Sequence, residues 1–588
     1  MSKSVDVENI RHHVLNITEK LPYRAAGSEN GRKMAEYSAA QLRAAGADSA
    51  ELHELPALVS FPKAASFEVV SPSARSIVAN TLGHSTETPS GAIEGELIYV
   101  GSGSYADYEG IDPRGKIILT ELSYSPARHE KQRIAAELGA AGAVMMNWGH
   151  PENEAVPFGS VKPVWGNPTH ETMKTQMAQI PCIGISRKDG LTLKQDCANG
   201  KVFVRLSVSV ENGWRPIHVT SGEIKAPSGV ESDDFVLVGG HQDSWPGPQA
   251  TDNAAGSAML LELARIFASR KSELRRGLVF GFWTAHETGT MAGSCWFAET
   301  YWDRLRENAV AYLQIDQPAC AGTTSRWISP SAAELRDFQQ RIASKQLGDR
   351  MPVLWHRVAK NGDSSFFGVG IPMMHGEGAF SEKELKETAM ATLGWWHHSI
   401  ENTIDKLDWD WMETHAQIYV AWLWELCTAP VLPYRFTDVA NDILARLNEL
   451  AVPGKQVGLD GAIKLAEGFA ASARWLDDAS QDLALQFQRG QGSEDRAKAI
   501  NKVIKRLSRI LVPLQSSAAG SYDQDMYGFT PQSTMIPCLY DLTKMEKAEG
   551  EDLWMYQTAM RRARNRVADG LADASELIRE LKRSWTNS

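Results

Sequence analysis

The segment GFWTAHETG, Gly281 to Gly289, closes an apolar run with an ionisable pair, His286 and Glu287. Polar residues of the same kind follow two other apolar runs. After FVLV (Phe235 to Val238) come Gly239, Gly240, His241, Gln242 and Asp243; after VAYLQI (Val310 to Ile315) comes Asp316; and Asp252 opens a helix in ATDNAAG. Singly, each has an ordinary explanation. Asp252 suits a helix N-cap, His241 a hydrogen-bonded core histidine, and Glu287 and Asp316 exposed loop carboxylates. Gathered at the same ends of successive strands, they concentrate negative charge in one cleft, which is costly unless cations compensate it. His and carboxylate ligands without cysteine suit zinc at a catalytic centre. Two ions about 3.5–4 Å apart, bridged by one carboxylate, use more ligands than one zinc needs. A fifth protein ligand is then expected later in the chain.

The elements that must position these groups are legible as patterns. Phe235 to Val238, Gly277 to Trp283 and Val310 to Ile315 have the near-continuous hydrophobicity of strands covered on both faces. Between the first two, Met259, Leu260, Leu263, Ile266 and Phe267 make one apolar helical stripe. Strands alternating with helices predict an α/β sheet with helices on both faces, and in such sheets ligands bind beyond the carboxyl ends of the strands. Asn30 to Gly46 predicts an early helix that stops at glycine. From about residue 60 to 210 the chain turns to short β-rich runs such as ELIYV, KIIL and AVMM, broken by Gly, Pro and Ser. Trp411, His415, Tyr419 and Trp422 recur at helical spacing, as on a buried helix face. Beyond residue 431 the sequence is glycine-poor and helical in period. The expected division is therefore an α/β domain over 1–59 and 211–430, a β-rich insertion over 60–210, and a helical domain over 431–588.

With 588 residues, 43% of them hydrophobic, the chain is long enough for more than one unit with substantial cores. Sixty-one basic against seventy-two acidic residues give a net charge of -11, which offers no general attraction to nucleic acid or to an anionic membrane surface. The start, MSKSVDVENIRHH, lacks the apolar stretch of an export signal, and no run of about eighteen apolar residues occurs without a charge. A soluble, cytoplasmic protein is expected. The six cysteines lack Cys-x-x-Cys spacing and read as mostly buried thiols.

In order, GGHQDSW, TDNAAGS, TAHETGTMAGS, LQID and HHSIENTID resemble the co-catalytic zinc aminopeptidase and glutamate carboxypeptidase family. The resemblance implies a mixed-sheet zinc-peptidase fold and hydrolysis of an amide or peptide bond by a hydroxide that two divalent ions activate. Zinc is the ion it implies, while manganese, cobalt and iron accept the same ligands. By likeness, His241 and Asp316 hold one ion, Glu287 and His398 the other, and Asp252 bridges them; Asp243 orients His241 through its other ring nitrogen. GDSSFFGVGIP (Gly362 to Pro372) is similar to the family's pocket-forming segment, which makes Asp363 and Ser364 candidate substrate contacts. His375 joins them from MHGEG, whose glycines suit a mobile active-site loop or an ordinary surface turn. DPRGKIIL, AAELGAAGAVMM and IPCIGIS make the insertion similar to the protease-associated domain of the glutamate carboxypeptidase and transferrin receptor branch. The C-terminal helices, with NKVIKRLSRILVPL and IPCLYDL, look like that branch's dimerisation domain and imply a homodimer.

Two positions depart from the family pattern. The first member of its Glu-Glu pair is the general base, and that position here is His286. Three roles stay open for it: the same proton transfer by a neutral imidazole, a changed role suited to a specialised non-peptide amide, or a metal-loaded but catalytically idle site that serves only binding. The tyrosine that commonly precedes the last ligand is His397, either a hydrogen-bond donor to an oxyanion or a packed loop histidine.

Overall fold

A computed structural model describes residues 4–229 and 231–586. The sheet is parallel at its centre. Phe235–His241 pairs with Gly277–Trp283 on one side and with Ala309–Gln314 on the other, and Ala309–Gln314 pairs in turn with Met373–Met374. Every residue of the first three of these strands is buried, which is why they read as unbroken apolar runs rather than alternating ones. Glycine is required at Gly281 because the Trp283 indole lies across it: a Cβ there would sit 1.9 Å from the ring. Register then sets the level at which the strands end. Trp283 pairs with His241 and Gln314 with Gly239. The chain therefore delivers His241, the His286–Glu287 pair and Asp316 to the same edge.

Two strands of 23 residues each, Ser49–Ser71 and Val202–Ile224, run antiparallel to one another from Ser49 opposite Glu223 to Ser71 opposite Phe203. One end of Val202–Ile224 pairs with Gly277–Trp283, and its other end pairs with Ile93–Tyr99. A further parallel set, Ile117–Glu121, Gly142–Met146 and Cys182–Ile185, continues from there. The two long strands thus pass without interruption across residues 59/60 and 210/211, and one hydrogen-bonded sheet links the insertion to the α/β domain. The longer helices of the insertion are Arg128–Glu137 and Arg187–Asn199.

Beyond residue 431 the long helices are Asp460–Gln488, Glu494–Ser516 and Gly550–Thr586. Ile500, Ile504, Leu507, Leu511 and Leu514 form the buried stripe of the second and join the core of the α/β domain. Arg509 on the same helix is buried and donates to the carbonyls of Arg306 and Gly370, tying the helical region to the loops of the sheet domain. The Trp409–Thr428 helix buries Trp411, His415, Tyr419 and Trp422 around Trp327. Among the described residues, no helix is long and apolar enough to cross a membrane.

Candidate metal centre

His241 ends its strand fully buried. Its Nε2 lies 3.0 Å from Asp252 Oδ1 and 3.5 Å from Asp316 Oδ1. On the other side of Asp252, Oδ2 lies 3.2 Å from His398 Nε2, which is itself 3.2 Å from Glu287 Oε1. Asp252 therefore faces two groups of donors with its two oxygens. This is the arrangement expected of a bridging carboxylate, with His241 and Asp316 on one side and Glu287 and His398 on the other.

Several of these atoms have no hydrogen-bond partner. His241 Nε2, Asp252 Oδ2, Glu287 Oε1, Asp316 Oδ1 and His397 Nδ1 are buried, point into the cluster and are unsatisfied. Burying such groups unpaired is expensive, and divalent cations would satisfy them together. The donor set, imidazoles and carboxylates without sulfur, fits zinc and the neighbouring first-row ions.

The outer contacts of the cluster differ from expectation in one respect. His241 Nδ1 meets the backbone carbonyl of Asp243 at 3.0 Å, whereas the Asp243 carboxylate is 3.7 Å away. That carboxylate instead accepts from the backbone N–H groups of His286 and Glu287, 3.1 Å each. Asp243 orients His241 with its main chain and the His286–Glu287 turn with its side chain, because only one residue, Gln242, separates it from the ring it was expected to hold. Trp245, within the HQDSW segment, donates its indole N–H to Glu287 Oε2 at 2.7 Å. Asp252 is not the N-cap of the helix that follows it. Asn253, just outside the helix, makes the cap-type bond instead, its Oδ1 accepting from Gly256 N at 3.0 Å, which leaves the Asp252 carboxylate free to face the cluster.

Each ligand-type histidine has a second histidine stacked on it. The His241 and His286 rings are 3.9 Å apart and 11° from parallel; the His397 and His398 rings are 3.8 Å apart and 23° from parallel. Ring-nitrogen lone pairs lie in the ring plane, so a cation held in the plane of one imidazole lies outside the plane of its partner. His398 Nε2 approaches both Asp252 and Glu287, whereas His397 Nδ1 approaches Asp252 alone, at 3.3 Å. His398 is thus the histidine of the HHS segment that faces two carboxylates, and His397 lies between it and Trp148. His286 turns its Nδ1 to Asp363 Oδ2 at 3.0 Å.

Without ions, the protonation of this cluster is governed by burial against mutual attraction. Burial pushes the His241 and His398 imidazoles down, but the surrounding carboxylates outweigh it and hold both above the ordinary value. Burial likewise favours the neutral acid at Asp252, yet the neighbouring histidines keep it well below the usual carboxylate range. For His397, burial and the adjacent His398 outweigh the pull of Asp252 and hold it well below the ordinary imidazole value. Burial and His241 lower His286, whereas Asp363 and Glu287 raise it, to about 9. Cations in the cluster would replace that attraction by repulsion and favour the neutral imidazole.

Comparison with known proteins agrees with this geometry. Residues 222–423 match the model of peptidase family M28, and residues 93–193 match the PA domain. Residues 222–423 are an M28 domain. The chain is 26% identical to aminopeptidase NAALADL1 of Rattus norvegicus over 48% of its own length and 49% of the relative. It is 28% identical to an inactive zinc metalloprotease of Schizosaccharomyces pombe over 38% of its own length and 29% of that protein. The chain spans about half the length, or less, of these curated relatives. Its fold is similar to that of an aminopeptidase from Aneurinibacillus sp. strain AM-1, at a TM-score of 0.54 and 22% identity, over 73% of this chain and 95% of the other.

The M28 domain does not line the cleft alone. A cavity of about 410 Å³ opens over Asp252, Glu287, Asp316 and His398, and its walls include Arg128 and Trp148 of the insertion and Tyr527 of the helical region. Sequence reasoning missed all three, since nothing local to PARHE or MYG ties them to strands more than a hundred residues away. Arg128 is half-buried, with its Nε buried and unpartnered and Nη2 3.5 Å from His398 Nδ1. Of the residues expected to contact substrate, His375 lines the cleft, with Nδ1 at the Gln314 carbonyl and Nε2 3.6 Å from Glu377. The other two are corrected. Ser364 turns its hydroxyl to the Asn361 carbonyl and Met373 Sδ inside its own loop, and Asp363 stands behind His286 rather than in the cleft wall.

Proposed function

We propose that this chain is a dinuclear metal-dependent hydrolase of amide or peptide bonds, with His286 as the proton carrier. The observation that carries it is the set of buried, unpartnered lone pairs on His241, Asp252, Glu287 and Asp316, facing one another beneath a cleft and beside the His286 imidazole, which stacks on His241. His241 and Asp316 would hold one ion, Glu287 and His398 the other, and Asp252 both. Bound there, divalent cations polarise the scissile carbonyl and make water a nucleophile near neutral pH.

The remaining steps fall to side chains. His286 takes the proton from the attacking water and returns it to the leaving nitrogen. His397, neutral and at the cleft wall, donates an N–H to the developing oxyanion. Arg128, a half-buried guanidinium at the cleft wall with an unpartnered Nε–H, supports a substrate that brings a carbonyl or carboxylate acceptor into the cleft. Peptides and small amides both meet that requirement.

The test is metal content together with turnover on a panel of peptides and small amides. Two equivalents of metal and measurable hydrolysis are expected, and His286→Ala should lower kcat by roughly 10²–10⁴-fold while leaving the metal bound. A specific alternative is an idle, metal-stabilised binding protein, favoured by the histidine at the base position and by the inactive relative. Bound metal with no turnover on any substrate, unchanged in His286→Glu, would decide for it.

A further inference from the structure

His286 is anchored by a chain of side chains whose hydrogen bonds have a direction. The Trp165 indole Nε1 is 2.8 Å from Ser365 Oγ, Ser365 Oγ is 2.8 Å from Ser294 Oγ, and Ser294 Oγ is 2.7 Å from Asp363 Oδ1. The other oxygen, Asp363 Oδ2, is 3.0 Å from His286 Nδ1. Trp165, Ser294, Ser365 and Asp363 are all buried, so water does not compete along the chain.

An indole N–H only donates, and each hydroxyl has one proton to give. Ser365 must therefore accept from Trp165, which leaves its own proton for Ser294. Ser294 in turn gives its proton to Asp363 Oδ1. The other carboxylate oxygen of Asp363, Oδ2, faces His286 and calls for a donor. That donor is the Nδ1 proton of the imidazole. Fixing the proton on Nδ1 bares Nε2, the nitrogen on the far side of the ring from Asp363.

We propose that Asp363, polarised by the Trp165–Ser365–Ser294 relay, is a positioning residue that selects the Nδ1–H tautomer of His286 and so keeps Nε2 free to accept a proton. This rests on the assignment of His286 as proton carrier and adds what makes it competent. A glutamate base needs no such selection, because both of its oxygens are acceptors when it is ionised; a histidine has one acceptor nitrogen, and the wrong tautomer would turn a donor toward the attacking water. Trp165 lies in the insertion and the other members in or beside the M28 domain, so the relay also makes the competence of His286 depend on how the two are seated.

The tautomer is measurable directly. Long-range proton–nitrogen NMR correlation of ¹⁵N-histidine-labelled, zinc-loaded protein, with His286 assigned by its loss in His286→Gln, should show Nδ1 protonated and Nε2 bare. Asp363→Asn should convert His286 to the Nε2–H form or a mixture and lower kcat by a hundredfold or more, with KM and bound zinc unchanged. Trp165→Phe removes only the first donor and should lower kcat about fivefold. Wild-type protein with an Nε2–H His286 overturns the proposal without recourse to any variant that might misfold. So does Asp363→Asn with an unchanged tautomer and less than a threefold change in kcat. Neither result touches the assignment of His286 as proton carrier, which fails separately if His286→Gln retains full turnover.

Discussion

Asp252 is the residue on which the centre turns. Its two oxygens face different histidines, 3.0 Å to His241 and 3.2 Å to His398, so it is the only one of the five ligand-type residues in contact with both groups. Asp252→Ala is expected to reduce bound metal from two equivalents to one or none by elemental analysis, whereas His286→Ala keeps both. Two tightly held ions in Asp252→Ala would refute the bridging assignment. The same scale resolves the HHS segment. Sequence left the choice between His397 and His398 to resemblance, and ring orientation favours His398: one imidazole reaches two carboxylates, while its stacked neighbour reaches one.

At the scale of elements, the centre exists because three parallel strands end in register. Pairing of Trp283 with His241 and of Gln314 with Gly239 brings the following residues to one edge. Asn253 then locks the edge. Its amide donates to the carbonyls of Ile315 and His241, and its oxygen accepts from Gly256 N and Gln317 N, joining the strand ends to the start of the Ala255–Ala268 helix. Asn253→Ala strands these buried groups and should destabilise the protein by on the order of 3 kcal/mol, seen as a lower unfolding midpoint in denaturant. Asn253→Asp keeps the acceptor and loses the donor, so it should fall between the two. A neutral Asn253→Ala would mean that the strand ends are held by other contacts. The strands were legible because buried parallel strands are uniformly apolar; the identity of the cap was not, since Asp and Asn are equally good caps and stand side by side.

At the scale of the whole molecule, the insertion and the helical region close over the M28 domain. Lys162 of the insertion is fully buried and donates to the carbonyls of Gly166 and Gly289, the latter in the loop that carries His286 and Glu287. Burial lowers its pKa from 10.5 to about 7. Between those values the unfolded chain holds a proton that the folded chain lacks, so stability rises with pH across that window, and below its lower end the cost of burying the charge is present in full. Lys162→Met should remove this term and flatten the dependence between pH 7 and 9 by up to about 1.4 kcal/mol per pH unit, measured by denaturant unfolding. An unchanged slope would show that Lys162 keeps its proton in the fold.

The sequence by itself determined the chemistry available: which residues are ligands by type, their order, and the strands whose ends carry them. These are local properties, set by side-chain chemistry and by hydrophobic runs of a few residues. Only the tertiary structure decided which histidine of a stacked pair faces the carboxylates, that Asp363 stands behind His286 instead of facing substrate, and that Arg128, Trp165 and Tyr527 reach the site at all. Those outcomes depend on ring orientation and on the seating of segments hundreds of residues apart, which packing fixes and no short stretch of chain encodes.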